Sequence, residues 1–205
     1  MPSSIGIGTS LASLILAATV VMGSPGPSTM SVTAVGAAFG FRRSAPYLAG
    51  IILGTAAVLL AVAAGVIAML MSLPGLGPVL LGASSVYIVY LAFRIATAPP
   101  LSGQDRPAKA PSFAGGLLLA VANPKAYLAI AAVFAGTRLA LESAIAEAIV
   151  KIAVLTVMIV AIHVVWLMAG VSLSRLLHHP TGSRIVNLLF AAILVATTVM
   201  TILRG

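Results

Sequence analysis

The chain has no cysteine, and acidic residues are almost as scarce, with 3 Asp and Glu against 11 Lys and Arg in 205 residues. The missing thiols exclude disulfides, thiolate metal sites and cysteine nucleophiles. Charged residues make up only 7% of the chain and hydrophobic residues 61%, which leaves too little polar surface for a water-soluble domain. The composition therefore predicts an all-α integral membrane protein.

The net charge of +8 raises the question of a nucleic-acid partner. The basic residues, however, stand singly or in pairs between apolar stretches, without a continuous basic face or interleaved aromatic residues. This arrangement is typical of loops that set membrane topology. We therefore expect the lipid bilayer as the partner of this chain and no nucleic acid.

Six apolar runs reach the roughly 20 residues that a helix needs to cross a bilayer. They are Ile7–Gly40, Tyr47–Met71, Leu76–Ala96, Phe113–Gly136, Ala144–Leu173 and Ile185–Leu203. No basic residue precedes the first run, so we interpret it as an uncleaved helix rather than a signal peptide. Basic residues concentrate in the first, third and fifth connections, and the positive-inside rule then predicts that both termini lie outside.

The first and fourth runs are interrupted by proline, in Ser24-Pro25-Gly26-Pro27-Ser28 and in Asn123-Pro124-Lys125. The two interruptions lie about half a chain length apart, and each opens a half with three spans. An odd number of spans per half inserts the second half upside down. The pattern predicts two inverted three-helix repeats, residues 1–97 and 113–205, joined by a cytoplasmic linker over 98–112, in a single transmembrane domain.

Each interruption predicts a helix start inside the membrane. Proline suits the first position of a helix, and Ser24 and Asn123 are suitable N-caps before Pro25 and Pro124. Two such starts would expose backbone N–H groups and partial positive charge, and the Lys125 ammonium would add to them. We interpret the combination as a centre that attracts a carboxylate. The alternative is a pair of proline kinks without a ligand.

Three further ionisable residues fall within the predicted spans, where charge is costly and often functional. Glu147 and Lys151 are four residues apart on one helix face. The pair could be a proton-linked switch or a mutually neutralised pair. His163 could carry a proton at physiological pH or serve as a hydrogen-bonded structural residue. No metal-ligand spacing, nucleotide-binding loop or nucleophile with a base partner is present, so we expect no cofactor, no metal and no enzyme activity.

Small residues recur at four-residue spacing, from Gly36 to Gly40 and from Gly50 to Gly54. This spacing permits close contact between helices in a membrane. The contacts could lie within one chain or between two copies in a homodimer.

The motif around Ser24-Pro25-Gly26-Pro27-Ser28, followed by Gly36, Gly40, Arg42-Arg43, Gly50 and Gly54, resembles the N-terminal signature of the lysine exporter (LysE/RhtB) family. Asn123-Pro124-Lys125-Ala126-Tyr127 is similar to the second signature of that family. Chain length, six spans and the position of the basic loop agree as well. The resemblance covers essentially the whole chain.

The resemblance implies a secondary transporter in the inner (plasma) membrane of a bacterial or archaeal cell, which exports amino acids or related small metabolites in exchange for protons. It centres the substrate site on residues 24–28 and 123–125. Many members have an acidic residue directly after Pro-Gly-Pro, where this chain has Ser28. That departure argues against a basic substrate and moves the expected proton coupling to Glu147, with Lys151, or to His163. The alternatives are an inorganic ion transporter or channel and a non-transporting membrane assembly partner.

Overall fold

The computed structural model describes residues 4–65, 75–97, 110–139, 141–176 and 180–204, and every regular element in these ranges is helical. In chain order the elements are α1 (Ser4–Ala17) with a π-helical continuation (Ala18–Met22), α2 (Pro27–Ala63), α3 (Leu76–Ala96), α4 (Phe113–Ala122), α5 (Pro124–Gly136), α6 (Ala144–Leu176) and α7 (Pro180–Arg204). The predicted all-α class is thus confirmed for the described residues.

Within the described residues, two helices are individually long and apolar enough to cross a membrane, over Pro27–Ala63 and Ala144–Leu173. Helices α4 and α5 form a third such span when taken together, bent by 61° at the break between them. Shorter apolar helices cover Gly6–Met22, Ser85–Ala96 and Arg184–Met200.

The outer faces of these helices are apolar as well as their inner faces. Val86 on α3 is 73% exposed and Val157 on α6 is 67% exposed. Many other Leu, Ile and Val side chains are exposed on the outer faces in the same way. An apolar surface of this extent requires lipid rather than water as its solvent. The chain is therefore a multi-pass membrane protein.

The helix bounds agree with most of the predicted spans. The third predicted span coincides with α3, and the fifth and sixth lie within α6 and α7. Between the first and second predicted spans the chain folds back on itself, since the Tyr47 hydroxyl donates to Ser31 Oγ at 3.0 Å. The predicted end of the first span is confirmed there, because α2 consists of two helical segments joined by a kink at Gly40, whose φ of 72° and ψ of 173° are not helical. Only glycine adopts such angles readily. The end of the second predicted span, most of the linker over 98–112, and His178 and His179 lie outside the described residues.

Glycines allow α2 to contact its two main neighbours at backbone distance. A Cβ at Gly36 would lie 2.8 Å from the Leu167 carbonyl oxygen of α6, and a Cβ at Gly54 would lie 2.9 Å from the Leu117 carbonyl oxygen of α4. Gly50 likewise abuts the Phe113 carbonyl. These members of the small-residue spacings therefore pack helices within one chain.

Two apolar clusters fill the interior. The larger joins α2, α3, α4, α6 and α7 around Tyr47, Ile51 and Leu91. The smaller joins α1, α2, α5 and α6 around Leu14 and Ile159. The polar residues of both helix breaks lie on the side of α2 that faces α5 and α6, beside the smaller cluster.

Candidate functional site

The first break, residues 23–26, separates the π-helical end of α1 from α2. Gly26 is extended, with φ −170° and ψ −179°, and Pro27 is the first residue of α2. The prediction that Ser24 caps a helix starting at Pro25 is therefore wrong. A residue before proline is disfavoured in the helical region, so Gly26 stays extended and the helix starts only at Pro27. The Ser24 hydroxyl donates back to the π-helical segment, 2.8 Å away.

Thr29 organises the start of α2. The Gly26 N–H donates to Thr29 Oγ1 at 2.9 Å, and the same hydroxyl donates to the Gly26 carbonyl at 3.2 Å. The N–H groups of Ser28 and Thr29 belong to the first helical turn, where no carbonyl of the same helix can accept them. Both residues are buried. This turn therefore offers backbone donors and the positive end of the helix dipole inside the protein.

The second break is a single residue, Asn123, and here the predicted cap is confirmed. Asn123 Oδ1 accepts the Lys125 N–H at 3.1 Å, and Pro124 occupies the first helical position of α5. The Ala126 N–H is bonded to the Asn123 carbonyl at 3.0 Å. The first donors of α5 are therefore already satisfied by Asn123 itself.

The two breaks contact each other directly. Asn123 Nδ2 donates to Ser28 Oγ at 2.9 Å, and both side chains are buried. Residues 95 positions apart in the chain thus form one hydrogen-bonded unit. The sequence placed Ser28 and Asn123 in one site from their motifs, without indicating this bond.

The Lys125 ammonium spans the junction of the two breaks. Its Nζ donates to the Ser24 carbonyl at 2.7 Å, the Ser24 hydroxyl at 2.8 Å and the Pro25 carbonyl at 2.7 Å. A lysine has three donors, so all of them are engaged. The carbonyls are those that the first break leaves without helical partners. The sequence led us to expect a free cation at Lys125. In the structure the ammonium is instead bound to the first break, and it links that break to the helix that follows the second one.

Gly26 makes room for this contact. A Cβ at Gly26 would lie 2.6 Å from Lys125 Cδ and 2.8 Å from Nζ. Any larger side chain would have to displace the ammonium from its carbonyl partners. The glycine of the Pro-Gly-Pro motif is thus required by the close approach of a side chain from the other half.

Trp166 on α6 completes the first break and was not among the predicted site residues. Its indole Nε1 donates to the Gly23 carbonyl at 3.1 Å, and Thr33 Oγ1 donates to the Trp166 carbonyl at 3.1 Å. A signal was present in the sequence, because an indole N–H inside an apolar span needs an acceptor. What the sequence does not contain is the identity of that acceptor.

A cavity of about 370 Å³, counting its opening, lies at the junction of the breaks. We call it the central cavity. Its lining consists of Met22, Ser24, Gly26, Ser28, Thr29, Thr55, Asn123, Lys125, Ala126, Ala129, Ile130 and His163. Most of the predicted substrate residues and His163 are therefore brought together. Thr29 and Thr55 are additions that only their hydroxyl groups in apolar spans could have indicated.

Glu147 and Lys151 lie elsewhere, at the start of α6. Lys151 Nζ contacts Glu147 Oε1 at 2.7 Å and donates to the Phe134 carbonyl at 3.0 Å. They line a separate pocket with Arg138 and Glu142 rather than the central cavity. Lys151 precedes His163 by three helical turns, roughly 18 Å. The structure therefore does not bring this pair to the predicted site, and it has the geometry of the mutually neutralised pair.

In the ranges that the structure describes, no three His, Cys, Asp or Glu side chains converge on a point where a metal ion could bind. The central cavity offers hydroxyl groups, an amide, an ammonium and one imidazole. This set can bind a small polar molecule and exchange a proton.

Broken helices that meet at a polar cavity within an apolar bundle are a feature of many membrane transporters. The sequence profile of the LysE type translocator family matches residues 19–205. The chain belongs to this family and is a membrane transporter. No curated protein and no solved structure matches it.

Proposed function

We propose that this protein exports amino acids or related small carboxylate-bearing metabolites from the cytoplasm in exchange for protons. Membership of the translocator family supports transport. The observation that carries the substrate class is the junction of the two breaks, where Lys125 and Asn123 contact Ser24, Pro25 and Ser28 beside the central cavity.

The proposed topology has six spans in two inverted repeats, residues 1–97 and 113–205, with the first and fourth spans broken. The direct contact between the two breaks supports their being counterparts, because inverted repeats bring discontinuous helices to a common centre. The distribution of basic residues supports cytoplasmic odd-numbered connections and external termini, in the inner (plasma) membrane of a bacterial or archaeal cell.

The substrate carboxylate is proposed to bind at the first turn of α2. This location is favoured because it offers the N–H groups of Ser28 and Thr29 and the Ser28 hydroxyl as donors. The start of α5 offers fewer donors, since Asn123 already caps it. The nearby Lys125 ammonium adds positive charge to this location, although its own hydrogen bonds go to Ser24 and Pro25.

Alternating access is proposed to proceed by relative movement of the two halves about this junction. Movement must lengthen some of the bonds from Lys125 to Ser24 and Pro25, since they join the halves. A carboxylate arriving at the α2 start would compensate by attracting the ammonium. Substrate would thereby lower the barrier to exchange between the two access states.

Two alternatives predict different contacts. An inorganic cation path would need inward carboxylates, and within the described residues none lines the central cavity. A non-transporting assembly partner would have no need of buried polar breaks that meet at a cavity. Both alternatives therefore fit the junction less well than a carboxylate transporter does.

Counterflow in proteoliposomes tests the proposal. Vesicles loaded with an unlabelled amino acid should accumulate the same labelled amino acid from outside, for at least one of alanine, serine, threonine, valine, aspartate and lysine. The controls are vesicles without protein and vesicles that contain the protein but no internal substrate. Absence of counterflow for the whole panel, with protein inserted and folded, would contradict the proposal.

A further inference from the structure

His163 lies near the middle of α6, and its ring lines the central cavity although the residue is only 5% exposed. Nδ1 is 2.7 Å from the Ile159 carbonyl oxygen of the preceding helical turn. Because a carbonyl only accepts, Nδ1 carries the hydrogen in the neutral ring, and Nε2 on the far edge is the lone-pair nitrogen. The fold therefore fixes the tautomer and presents an acceptor.

The other polar groups of the central cavity are largely committed to protein partners. Thr55 donates to the Ile51 carbonyl at 2.8 Å, and Thr29 is bonded twice to Gly26. Asn123 uses its oxygen on the Lys125 N–H and its amide on Ser28. Since a hydroxyl remains only a neutral acceptor, the imidazole is the basic acceptor of the cavity.

The charged and titratable groups around His163 can be named element by element. Helix α5 contributes the Lys125 ammonium, whose donors go to the first break. Helix α2 contributes only hydroxyl groups, and α1 with the first break contributes Met22 and Ser24. On α6 itself, Glu147 and Lys151 are paired with each other roughly 18 Å away or more. No carboxylate of the described residues therefore competes with Nε2 for a cation in the cavity.

A zwitterionic substrate needs an acceptor for its ammonium as well as donors for its carboxylate. The donors lie at the α2 start, and His163 Nε2 supplies the acceptor in the same cavity. The remaining lining, Met22, Ala126, Ala129 and Ile130, is apolar and suits a short uncharged side chain. A second positive charge on the substrate would find no carboxylate and would face Lys125, so the cavity disfavours cationic side chains.

We infer that His163 Nε2 is the shared site of two competing occupants, the ammonium of an outgoing small neutral amino acid and the incoming proton. This inference rests on the proposed export function and deepens it. One lone pair cannot hold a proton and accept from an ammonium at once. Occupancy by one therefore requires release of the other, which is the condition for antiport.

The exchange balances for one proton. The substrate leaves as a zwitterion and keeps its own ammonium hydrogens, so Nε2 is vacated on the outer side and takes a proton from external water. The protonated ring returns to the inner-facing state and releases that proton to the cytoplasm as the next ammonium binds. Each cycle moves one neutral substrate out and one positive charge in, so both the pH gradient and an inside-negative potential drive export.

The test separates coupling from transport in the same proteoliposomes. Labelled alanine, serine, threonine and valine are used one at a time as probes, with lysine as the cationic comparison. Counterflow at equal pH measures binding and movement, and substrate gradients formed under an imposed pH difference with clamped potential measure coupling. One proton per substrate predicts about a tenfold substrate ratio per pH unit for the wild type.

His163→Gln is the decisive variant, because its amide oxygen can accept from an ammonium near the Nε2 position but cannot hold a proton. It should slow counterflow of neutral probes without abolishing it, because the amide is a weaker acceptor than the imidazole, and it should lose the gradient formed by the pH difference. His163→Asn, which can keep the bond to the Ile159 carbonyl, should also lose the gradient. Glu147→Gln is the control and should keep coupling, since its pocket is separate from the central cavity.

Each outcome decides a different statement. A pH-driven gradient that persists in His163→Gln would overturn the inference and leave the export function standing. Complete loss of counterflow in His163→Gln, with folded protein and active wild type, would also overturn it, because the amide oxygen would then fail to replace Nε2 as the ammonium acceptor. Counterflow of lysine equal to that of alanine would contradict the substrate class. A wild type without any counterflow would remove the proposed function and the inference with it.

Discussion

The two helix breaks satisfy their backbone groups in opposite ways. The second break is one residue long and self-contained, because Asn123 caps α5 with both its side chain and its carbonyl. The first break spans residues 23–26 and depends on other parts of the chain, with Lys125 and Trp166 donating to its carbonyls. In the proposed mechanism, the second break is therefore the rigid element, and the first is the adjustable element that receives the substrate.

Removing Lys125 should have the largest effect on stability and transport, because Lys125 is a main partner of the first break. Lys125→Ala leaves the Ser24 and Pro25 carbonyls without their donor, and we expect a loss of about 2–4 kcal/mol in the free energy of unfolding together with loss of transport. Thermal unfolding in detergent and counterflow measure the two effects. Arg138→Ala, which removes an exposed positive charge, is the control and should change neither. Unchanged transport in Lys125→Ala would sink the assigned role.

Enlarging Gly26 should disturb the first break from the other side of the same contact. In Gly26→Ala the new Cβ meets the Lys125 side chain, and the overpacking should lower the free energy of unfolding by about 1–3 kcal/mol and slow counterflow. The matched control is Gly82→Ala on α3, where a Cβ has open space. If Gly26→Ala were as stable and active as the control, Lys125 would not be held where the structure has it.

Asn123 and Ser28 give a smaller and more selective test. Asn123→Ala removes a helix cap and the bond to Ser28 and should cost about 1–2 kcal/mol, whereas Ser28→Ala removes only the bond and should cost less. A double-mutant cycle on the free energy of unfolding should give a coupling of about 0.5–1.5 kcal/mol. Additive effects would show that the two breaks are not joined through this hydrogen bond.

Ser28→Asp should leave stability least affected and change selectivity most specifically. The new carboxylate at the start of α2 is favoured by the helix dipole, compensates the positive charge there and can pair with a substrate ammonium. We expect counterflow of lysine to rise relative to alanine. If neither substrate preference nor pH dependence changed, Ser28 would be removed from the site.

The features that followed from sequence are those set by local rules. Asn123 before Pro124 predicted a capped helix start, and apolar length predicted α3, α6 and α7. Local rules failed at the first break, because two prolines offered two helix starts and the restriction on Gly26 before Pro27 decided between them. They held at Gly40, the predicted end of the first span, where the backbone of α2 leaves the helical conformation.

Contacts between distant residues could not be predicted from one sequence. A lysine inside a span indicates a need for partners, and the sequence favoured an incoming carboxylate as the partner of Lys125. The structure instead gives it carbonyls that the first break had left unpaired. The acceptor of the Trp166 indole and the cavity position of His163 depend on how α6 packs against both breaks, which one sequence does not determine.

The absence of native cysteine makes one measurement especially direct. Ser28→Cys introduces a single thiol at the α2 start, and its alkylation by a membrane-impermeant reagent can be followed from each side of inverted and right-side-out vesicles. If the joined breaks form the substrate site of an exporter, the thiol reacts from both sides and a transported amino acid slows the reaction. A reaction rate that no amino acid of the panel changes, or a thiol accessible from one side only, would contradict the account.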